Sequence, residues 1–239
     1  FGRKSNFNNR TIMIVLFDAD SLVYSSCCNV ETIEEATAKF DEIFMSMANK
    51  LENNYDIKEY IFFNNSRGNF RKILDKNYKA NRKNTELPPL LFEMHELITI
   101  LYDSKKAYGM ETDDIVAQYW YKLSNEFGRD NVLIISIDKD YKQLPALIYN
   151  YHYKHRCIYD ISEEQALYNF YEQMIIGDGA DNVQYCKGYG KVYASKLFKD
   201  CKTHYQFTKK TYELFKIIYK SKAKLKYIQC YNLLRLQLE

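Results

Sequence analysis

The chain has 239 residues, with 34 Lys and Arg against 31 Asp and Glu and a formal net charge of +3. Its hydrophobic fraction of 46% and charged fraction of 27% are typical of a globular protein and exclude an intrinsically disordered one. The small net charge excludes a uniformly basic protein but leaves local charge asymmetry open.

The six cysteines include no CxxC pair, which argues against a zinc knuckle or a redox dithiol. No apolar run is long enough to span a bilayer, and no signal peptide is evident. We therefore predict a cytoplasmic protein with free thiols and no membrane contact. His152, His155 and Cys157 could form a metal trio, but polar residues at a strand turn are the favoured interpretation.

In chain order, residues 1–10 are polar and Asn-rich and are predicted to form a flexible tail before a single domain over 11–239. The run IMIVLF predicts a short, buried parallel strand that ends on Asp18 and Asp20. A helix from about Thr32 to Leu51 and the strand EYIFF follow. A long polar, strongly basic segment comes next and is closed by two prolines.

The second half of the chain continues the alternation of helices and strands. LLFEMHELITIL and DDIVAQYWYKL predict helices, and Thr112 or Asp113 is placed to cap the second one. NVLIIS predicts a third buried strand, and ALIYNY and RCIYDI predict a strand pair. SEEQALYNFYEQMII predicts a helix capped by Ser162, a glycine-punctuated loop leads into another, and the Lys-rich tail from about Thr203 is helical.

This alternation predicts an α/β fold with a mostly parallel central sheet and helices on both faces. In such sheets ligands bind beyond the carboxyl ends of the strands. Acids follow two strands, begin one helix and occupy one turn, so we expect them to converge on one rim. Taken singly, each acidic cluster is more often a cap or a solvated turn. Together they favour two Mg²⁺ or Mn²⁺ ions, roughly 4 Å apart, that activate water and stabilise the leaving oxygen of a phosphodiester.

The chain resembles the 5′ nuclease superfamily, which includes phage 5′–3′ exonucleases, the 5′ nuclease domain of bacterial DNA polymerase I and flap endonucleases. The matching stretches, in family order, are FDADSL, FRKILDKNYKANRK, GMETDDIVA, SIDKDYKQL and IGDGADNVQYCKGYGKVYASKL. The resemblance implies a helical arch over about 64–90, a helix–three-turn–helix DNA-binding motif over about 177–200 and C-terminal helices over about 203–239. The metal ligands that it implies are Asp18, Glu111, Asp113, Asp114, Asp138, Asp140, Asp178 and Asp181.

One stretch departs from the family pattern. Many members have another acid shortly after the second strand, where this chain reads FFNNSRGNF with Asn64 or Asn65 near the expected place. An amide brings no charge, so we expect weaker metal affinity at the first site.

The basic segment FRKILDKNYKANRK is either a solvated charged stretch or a phosphate-facing arch. Lys79 and Arg82 are three residues apart and share a face if helical, so they could stabilise charge on the scissile phosphate as catalytic residues. Tyr78 could stack on an unpaired base. Arg71 and Lys83 are predicted to contact DNA as well, and the resemblance supports this arch interpretation.

The stretch CKGYGKVYASKLF resembles the family's helix–three-turn–helix, although an ordinary αα-hairpin is the alternative. Gly188 and Gly190 permit a tight turn through which backbone amides can approach a phosphate. Lys187, Lys191 and Lys196 add positive charge. In the family this motif grips the duplex away from the cut and often binds K⁺, which we carry over as an additional ion.

We therefore predict a metal-dependent 5′–3′ exonuclease or 5′ flap endonuclease that acts in replication or repair with water as the nucleophile. Its predicted partner is DNA with a 5′ flap or a 5′ end near a duplex, with RNA–DNA primers as a further substrate. We expect a monomer in a bacterial cell or a phage-infected host. The alternatives are a catalytically weakened, structure-specific DNA-binding protein and a PIN-like ribonuclease, the latter giving no reason for the Gly-x-Gly-Lys hairpin.

Overall fold

The structure is a computed structural model that describes residues 11–83 and 85–238, so the predicted tail over 1–10 lies outside the described residues. Within that part, five strands form one sheet in the order β2-β1-β3-β4-β5. The first four strands run parallel and β5 is antiparallel to β4, which confirms the mostly parallel sheet. The strands are β1 Ile12–Asp18, β2 Asp56–Phe63, β3 Val132–Ile135, β4 Leu147–Asn150 and β5 Cys157–Asp160.

Helices cover both faces of the sheet. Both faces of the central strand β1 are apolar and must therefore be buried. Met13, Val15 and Phe17 lie in one core cluster, whereas Ile14 and Leu16 lie in another on the opposite face. Residues of α1, α2 and α4 fill the first cluster and residues of α5 fill the second. These helices are α1 Asp20–Ser26, α2 Ile33–Glu52, α4 Leu91–Leu101 and α5 Thr112–Phe127.

The C-terminal helices build a third apolar cluster beside the sheet. Its centre contains Tyr171, Phe198, Phe207 and Phe215, all nearly inaccessible to solvent. The helices are α6 Glu163–Ile176, α7 Lys191–Phe198, α8 His204–Tyr219 and α9 Ala223–Leu234. Ser162 and Thr203 form capping boxes at the starts of α6 and α8, as their position before each apolar pattern suggests.

The segment predicted as a helical arch contains little helix in its described part, residues 64–83 and 85–90. One turn, α3 Arg71–Leu74, and a single 3₁₀ turn, Ala80–Arg82, are its helical elements there. Lys79 precedes the 3₁₀ turn with a φ of 54°, so it does not share a continuous helix with Arg82. The expectation that Lys79 and Arg82 share one face of a helix is therefore wrong, and a full helical arch stays a prediction.

Among the described residues, no helix combines the length and the apolarity that crossing a membrane requires.

Candidate metal and DNA site

Asp18 stands at the carboxyl end of the central strand β1 and is 6% exposed. Its Oδ2 accepts a hydrogen bond from the Tyr141 hydroxyl at 2.8 Å, and its Oδ1 accepts one from the backbone N–H of Asp20 at 3.3 Å. Burial raises the pKa of Asp18 to about 7, with the charges of Asp20 and Asp138 adding to the effect. A carboxylate in this position is held in place but lacks a counter-charge.

Three further acids meet beside this strand end. Ligand oxygens of Asp140, Asp178 and Asp181 all lie within 4.8 Å of one another, and no other such group of three potential metal ligands occurs in the described residues. His152, His155 and Cys157 do not form such a group in the described residues, in agreement with the favoured interpretation of polar residues at a strand turn.

The loop that carries two of these acids is tightly closed. The backbones of Asp178 and Val183 exchange two hydrogen bonds, at 2.7 and 2.8 Å. Gly177 precedes the loop with a φ of 78°, and a Cβ there would lie 2.4 Å from the carbonyl oxygen of Val183, so only glycine fits. This closure places Asp178 and Asp181 on a defined backbone.

The pKa shifts in the trio reveal an excess of negative charge. Burial, together with the charges of Asp138 and Asp178, raises the pKa of Asp140 to about 7, although the Gln173 hydrogen bond and the Lys139 charge act in the opposite direction. Burial also raises the pKa of Asp181. Burial acts in the same direction on Asp178, but Lys139, whose Nζ lies 2.8 Å from the carboxylate, outweighs it and lowers the pKa.

Asp113, in the first turn of α5, supplies an oxygen without a partner. Its Oδ1 is buried and accepts no hydrogen bond from the described residues. Burial raises its pKa well above the usual range, and the charges of Asp114 and Glu111 add to this. A buried carboxylate oxygen normally has a donor or a cation beside it, so the Asp113 Oδ1 is a candidate cation ligand.

Asp114 does not share this property, and its predicted role as a metal ligand is corrected. Its carboxylate, which is fully buried, receives two hydrogen bonds from the Arg71 guanidinium at 2.5 and 2.7 Å. It also accepts the backbone N–H groups of Glu111 and Gln237 at 3.1 and 3.0 Å. With four donors around it, this carboxylate has no lone pair left for a cation.

Arg71 and Tyr78 are also corrected, because neither is available to DNA in this structure. Arg71 is 2% exposed and holds Asp114, while Tyr78 is 3% exposed and packs among the C-terminal helices. The Tyr78 hydroxyl lies 2.7 Å from a carboxylate oxygen of Glu111 and 2.7 Å from one of Asp181. A buried ring with this contact cannot stack on a base.

Lys79 and Arg82 lie against the acids, as a phosphate-facing pair would. The Lys79 Nζ is paired with Glu111 and lies 3.6 Å from Asp181, whereas Arg82 donates to Asp181 at 2.8 Å. Burial alone would lower the pKa of Lys79, but the two carboxylates outweigh it and raise the pKa. Burial alone would raise the pKa of Glu111, but the charge and the hydrogen bond of Lys79 outweigh burial and lower that pKa. Lys83 is exposed beside them.

The two asparagines point away from the acids. The side chain of Asn64 is fully buried and donates to the carbonyl of His95 at 2.8 Å, in α4. The Asn65 side chain donates to Glu96 at 2.9 Å, and its backbone N–H donates to Asp20 at 2.8 Å. Neither amide therefore occupies the place of an acid in the site.

The hairpin before α7 presents backbone to solvent. Gly188 has a φ of 90°, which favours glycine, and Gly190 caps the start of α7. A Cβ added at either position would meet nothing within 4 Å, so internal packing does not explain the two glycines. Lys187, Lys191 and Lys196 are all exposed around them. The hairpin thus offers free amides and positive charge to an outside group.

Some contacts of the acids have no signal in the sequence. Tyr141 holds Asp18, and Gln173 donates from one amide nitrogen to Asp140 at 2.8 Å and to Asp178 at 2.9 Å. Both partners come from other elements, so no local spacing indicates them.

The sequence profile described as 5'-3' exonuclease, N-terminal resolvase-like domain, matches residues 13–171 of the chain. The chain belongs to this family. A 5'-3' exonuclease of Buchnera aphidicola from Schizaphis graminum is 30% identical over 141 residues, covering 55% of this chain and 48% of the relative. A 5'-3' exonuclease of Buchnera aphidicola subsp. Acyrthosiphon pisum is 28% identical over 189 residues, covering 71% of this chain and 64% of the relative. The chain thus spans about half to two-thirds of the length of these relatives.

Among solved structures, the phage T5 D15 protein co-crystallized with metal ions superimposes with a TM-score of 0.70 at 18% identity, covering 93% of this chain and 89% of that one. The T5 D15 flap endonuclease in a pseudo-enzyme–product complex with DNA and metal ions gives 0.68 at 17% identity, with the same coverage. These likenesses show a shared fold.

Proposed function

We propose that the chain is a divalent-metal-dependent 5′ nuclease that hydrolyses DNA phosphodiesters near duplex junctions, as a 5′–3′ exonuclease or a 5′ flap endonuclease. Family membership supports the reaction class, and the relatives' names support its direction. The observation that carries the proposal is the convergence of acids on one rim, where Asp113 and Asp140 have raised pKa values. The trio Asp140, Asp178 and Asp181 converges within 4.8 Å, and the buried Oδ1 of Asp113 lacks a partner in the described residues.

The residues present fit a divalent cation. Carboxylate oxygens are the ligands that Mg²⁺ and Mn²⁺ prefer, and the trio would hold one ion. The remaining acids would reach a second ion through bound water, because the described residues contain no second group of three ligand oxygens within 4.8 Å of one another. When bound, such ions act as Lewis acids and lower the pKa of a water molecule.

The basic residues beside the acids would act on the scissile phosphate. Lys79 and Arg82 already lie within ion-pair distance of Asp181, so a phosphate brought to that rim would meet both cations. They would neutralise charge that develops in the transition state. A cavity of about 10 Å³, room for one water at most, is lined by residues that include Tyr78, Glu111 and Asp113.

The hairpin would bind the duplex away from the cut. Free amides at Gly188 and Gly190 and the exposed Lys187, Lys191 and Lys196 suit the phosphate backbone. We include K⁺ at this hairpin in the proposal, together with a monomeric state, cytoplasmic location and RNA–DNA primers as a further substrate. DNA binding should weaken steeply with salt, because phosphate contacts release counterions.

The test is cleavage of a labelled 5′ flap during titration with Mg²⁺ or Mn²⁺, using DNA, RNA and hybrid flaps. We expect DNA cleavage that Asp140→Ala abolishes while DNA binding persists. Asp130→Ala is the matched control, since its side chain is 80% exposed and it precedes β3, whereas Asp138 and Asp140 follow that strand. Binding without cleavage at any metal concentration would favour the DNA-binding alternative, and preference for RNA would favour the ribonuclease.

A further inference from the structure

We propose that Gln173 is a positioning residue that sets the spacing of the Asp140 and Asp178 carboxylates and thereby the cation affinity of the trio. This inference rests on the proposed metal-dependent function. Gln173 lies in α6, five residues before Asp178, and is 9% exposed. It belongs to none of the acidic or basic motifs of the sequence, and it contacts two of the three acids.

The geometry of the contact is that of a bridge. The Nε2 of Gln173 donates one hydrogen to Asp140 Oδ1 at 2.8 Å and the other to Asp178 Oδ2 at 2.9 Å. Both hydrogens of the amide are thus used on carboxylates, which come from different elements of the fold. An amide does this without neutralising them, so the two acids are drawn together while their charge remains available to a cation.

The orientation of the Gln173 amide is determined by its neighbours. The Nε2 of Gln143 donates to the backbone carbonyl of Leu234 at 2.8 Å, and a carbonyl can only accept. The same nitrogen donates to Gln173 Oε1 at 3.0 Å, which directs the Gln173 nitrogen towards the acids. The end of α9 therefore helps to orient the acidic trio, because Leu234 holds Gln143, Gln143 holds Gln173, and Gln173 contacts two of the acids.

Asp178 shows which of its contacts must persist when a cation binds. Its Oδ1 accepts the backbone N–H groups of Ala180 and Asp181 at 2.8 and 3.3 Å. Its Oδ2 accepts Gln173 and the Nζ of Lys139, so both oxygens are fully occupied. The Lys139 side chain is 61% exposed and can return to water at little cost, whereas Gln173 is buried. A cation would therefore replace Lys139 and leave the Gln173 bridge in place.

The decisive measurement is Mn²⁺ binding without substrate, followed by the loss of the free-ion electron paramagnetic resonance signal. Gln173→Met keeps the side-chain length but removes both donors. We expect the affinity of one Mn²⁺ site to fall by about 10- to 100-fold, as for other residues that orient metal ligands. The KM for a DNA flap should change little, because the side-chain hydrogen bonds of Gln173 go to the acids and to Gln143.

The matched control is Asn169→Leu, which removes another side-chain amide from the same helix. Among the described residues, the Asn169 side chain donates to the carbonyl of Lys142 at 2.9 Å and to no carboxylate, so Mn²⁺ affinity should remain that of the wild type. Gln143→Met tests the second link, and we expect a smaller loss of affinity because the bridge loses only its orientation. Gln143→Met also replaces Gln173→Met as the test of the bridge if Gln173→Met fails to fold.

The outcomes separate this inference from the proposed function. Wild-type Mn²⁺ affinity in Gln173→Met, or in Gln143→Met if the former does not fold, would overturn the positioning role and leave the nuclease proposal intact. An equal loss in Asn169→Leu would also overturn it, because the effect would then be general to the helix. A wild-type protein that binds no Mn²⁺ would overturn both.

Discussion

Replacing Arg71 with methionine is expected to destabilise the fold, although the sequence places Arg71 in the basic segment as a DNA contact. The guanidinium holds Asp114 through two hydrogen bonds and donates to the backbone carbonyls of Leu233 and Arg235 at 3.0 and 2.8 Å. It therefore joins the base of the basic segment to the start of α5 and to the end of α9.

The magnitude follows from the burial of both partners, since side-chain exposure is 2% for Arg71 and 0% for Asp114. Removing one member of a buried ion pair leaves the other charge unpaired and costs about 3–5 kcal/mol. For a chain of this size, that loss lowers the melting temperature by about 6–20 °C. The exposed neighbour Lys72 gives the control, because Lys72→Met should change the unfolding free energy by at most about 0.5 kcal/mol.

The assay is urea or thermal unfolding followed by circular dichroism, with DNA affinity measured in parallel below the melting temperature. In the double variant Arg71→Met with Asp114→Asn, the buried charge is gone. We therefore expect less destabilisation than the sum of the single changes, by about 0.5–3 kcal/mol. Wild-type unfolding of Arg71→Met, together with weakened DNA binding, would refute the structural role and restore the DNA contact.

Three further predictions concern the site. Asp18 and Asp140 have a pKa raised to about 7, so the metal-free protein should lose stability as pH rises from about 4 to 7, by at most about 4 kcal/mol for each group. Mg²⁺ should accordingly raise the melting temperature more at pH 8 than at pH 5, and an equal rise would contradict this. Tyr78→Phe keeps the buried ring but removes the hydroxyl that contacts Glu111 and Asp181, so a Mn²⁺ titration should show about tenfold weaker binding. If Tyr78 instead stacked on a base, phenylalanine would serve equally well and Mn²⁺ binding would not change. Gly190→Ala should leave the melting temperature unchanged but weaken duplex binding about tenfold in a fluorescence anisotropy titration, and unchanged affinity would exclude close phosphate approach.

The fold could be predicted where the pattern is continuous. The apolar run of β1 is buried on both faces, and the acid that follows it must lie at the sheet edge. Helix α1 was missed because its seven residues begin directly after that strand, with Ala19 at the cap position and no side-chain capping bond. The tertiary sheet, rather than a local signal, determines that this segment turns into a helix.

The acids at the start of α5 show why the site was predicted only in part. Asp113 and Asp114 are adjacent and chemically identical, but a helix directs successive side chains about 100° apart. One therefore faces the other acids with a buried, unpartnered oxygen, and the other faces Arg71. The same limit applies to Arg71 and Lys72, of which one is buried and one exposed. Residue type and spacing indicate a cluster, whereas the partner of each member depends on elements distant in sequence.

Most of the acids fall into two classes according to their counter-charges. Asp181 lies between them, because Lys79 and Arg82 are within ion-pair distance of it and burial nevertheless raises its pKa. Glu111 and Asp178 have cations within ion-pair distance and a lowered pKa. Asp18, Asp113 and Asp140 instead have a raised pKa, because burial and neighbouring carboxylates act on them without an adjacent cation of sufficient effect. Further lysines could have paired this second class, but a permanent cation would leave no charge for a metal ion to neutralise. A site that takes its positive charge from solution needs carboxylates without an adjacent cation next to carboxylates that are already paired. This division is the strongest physical reason to assign metal binding to this rim.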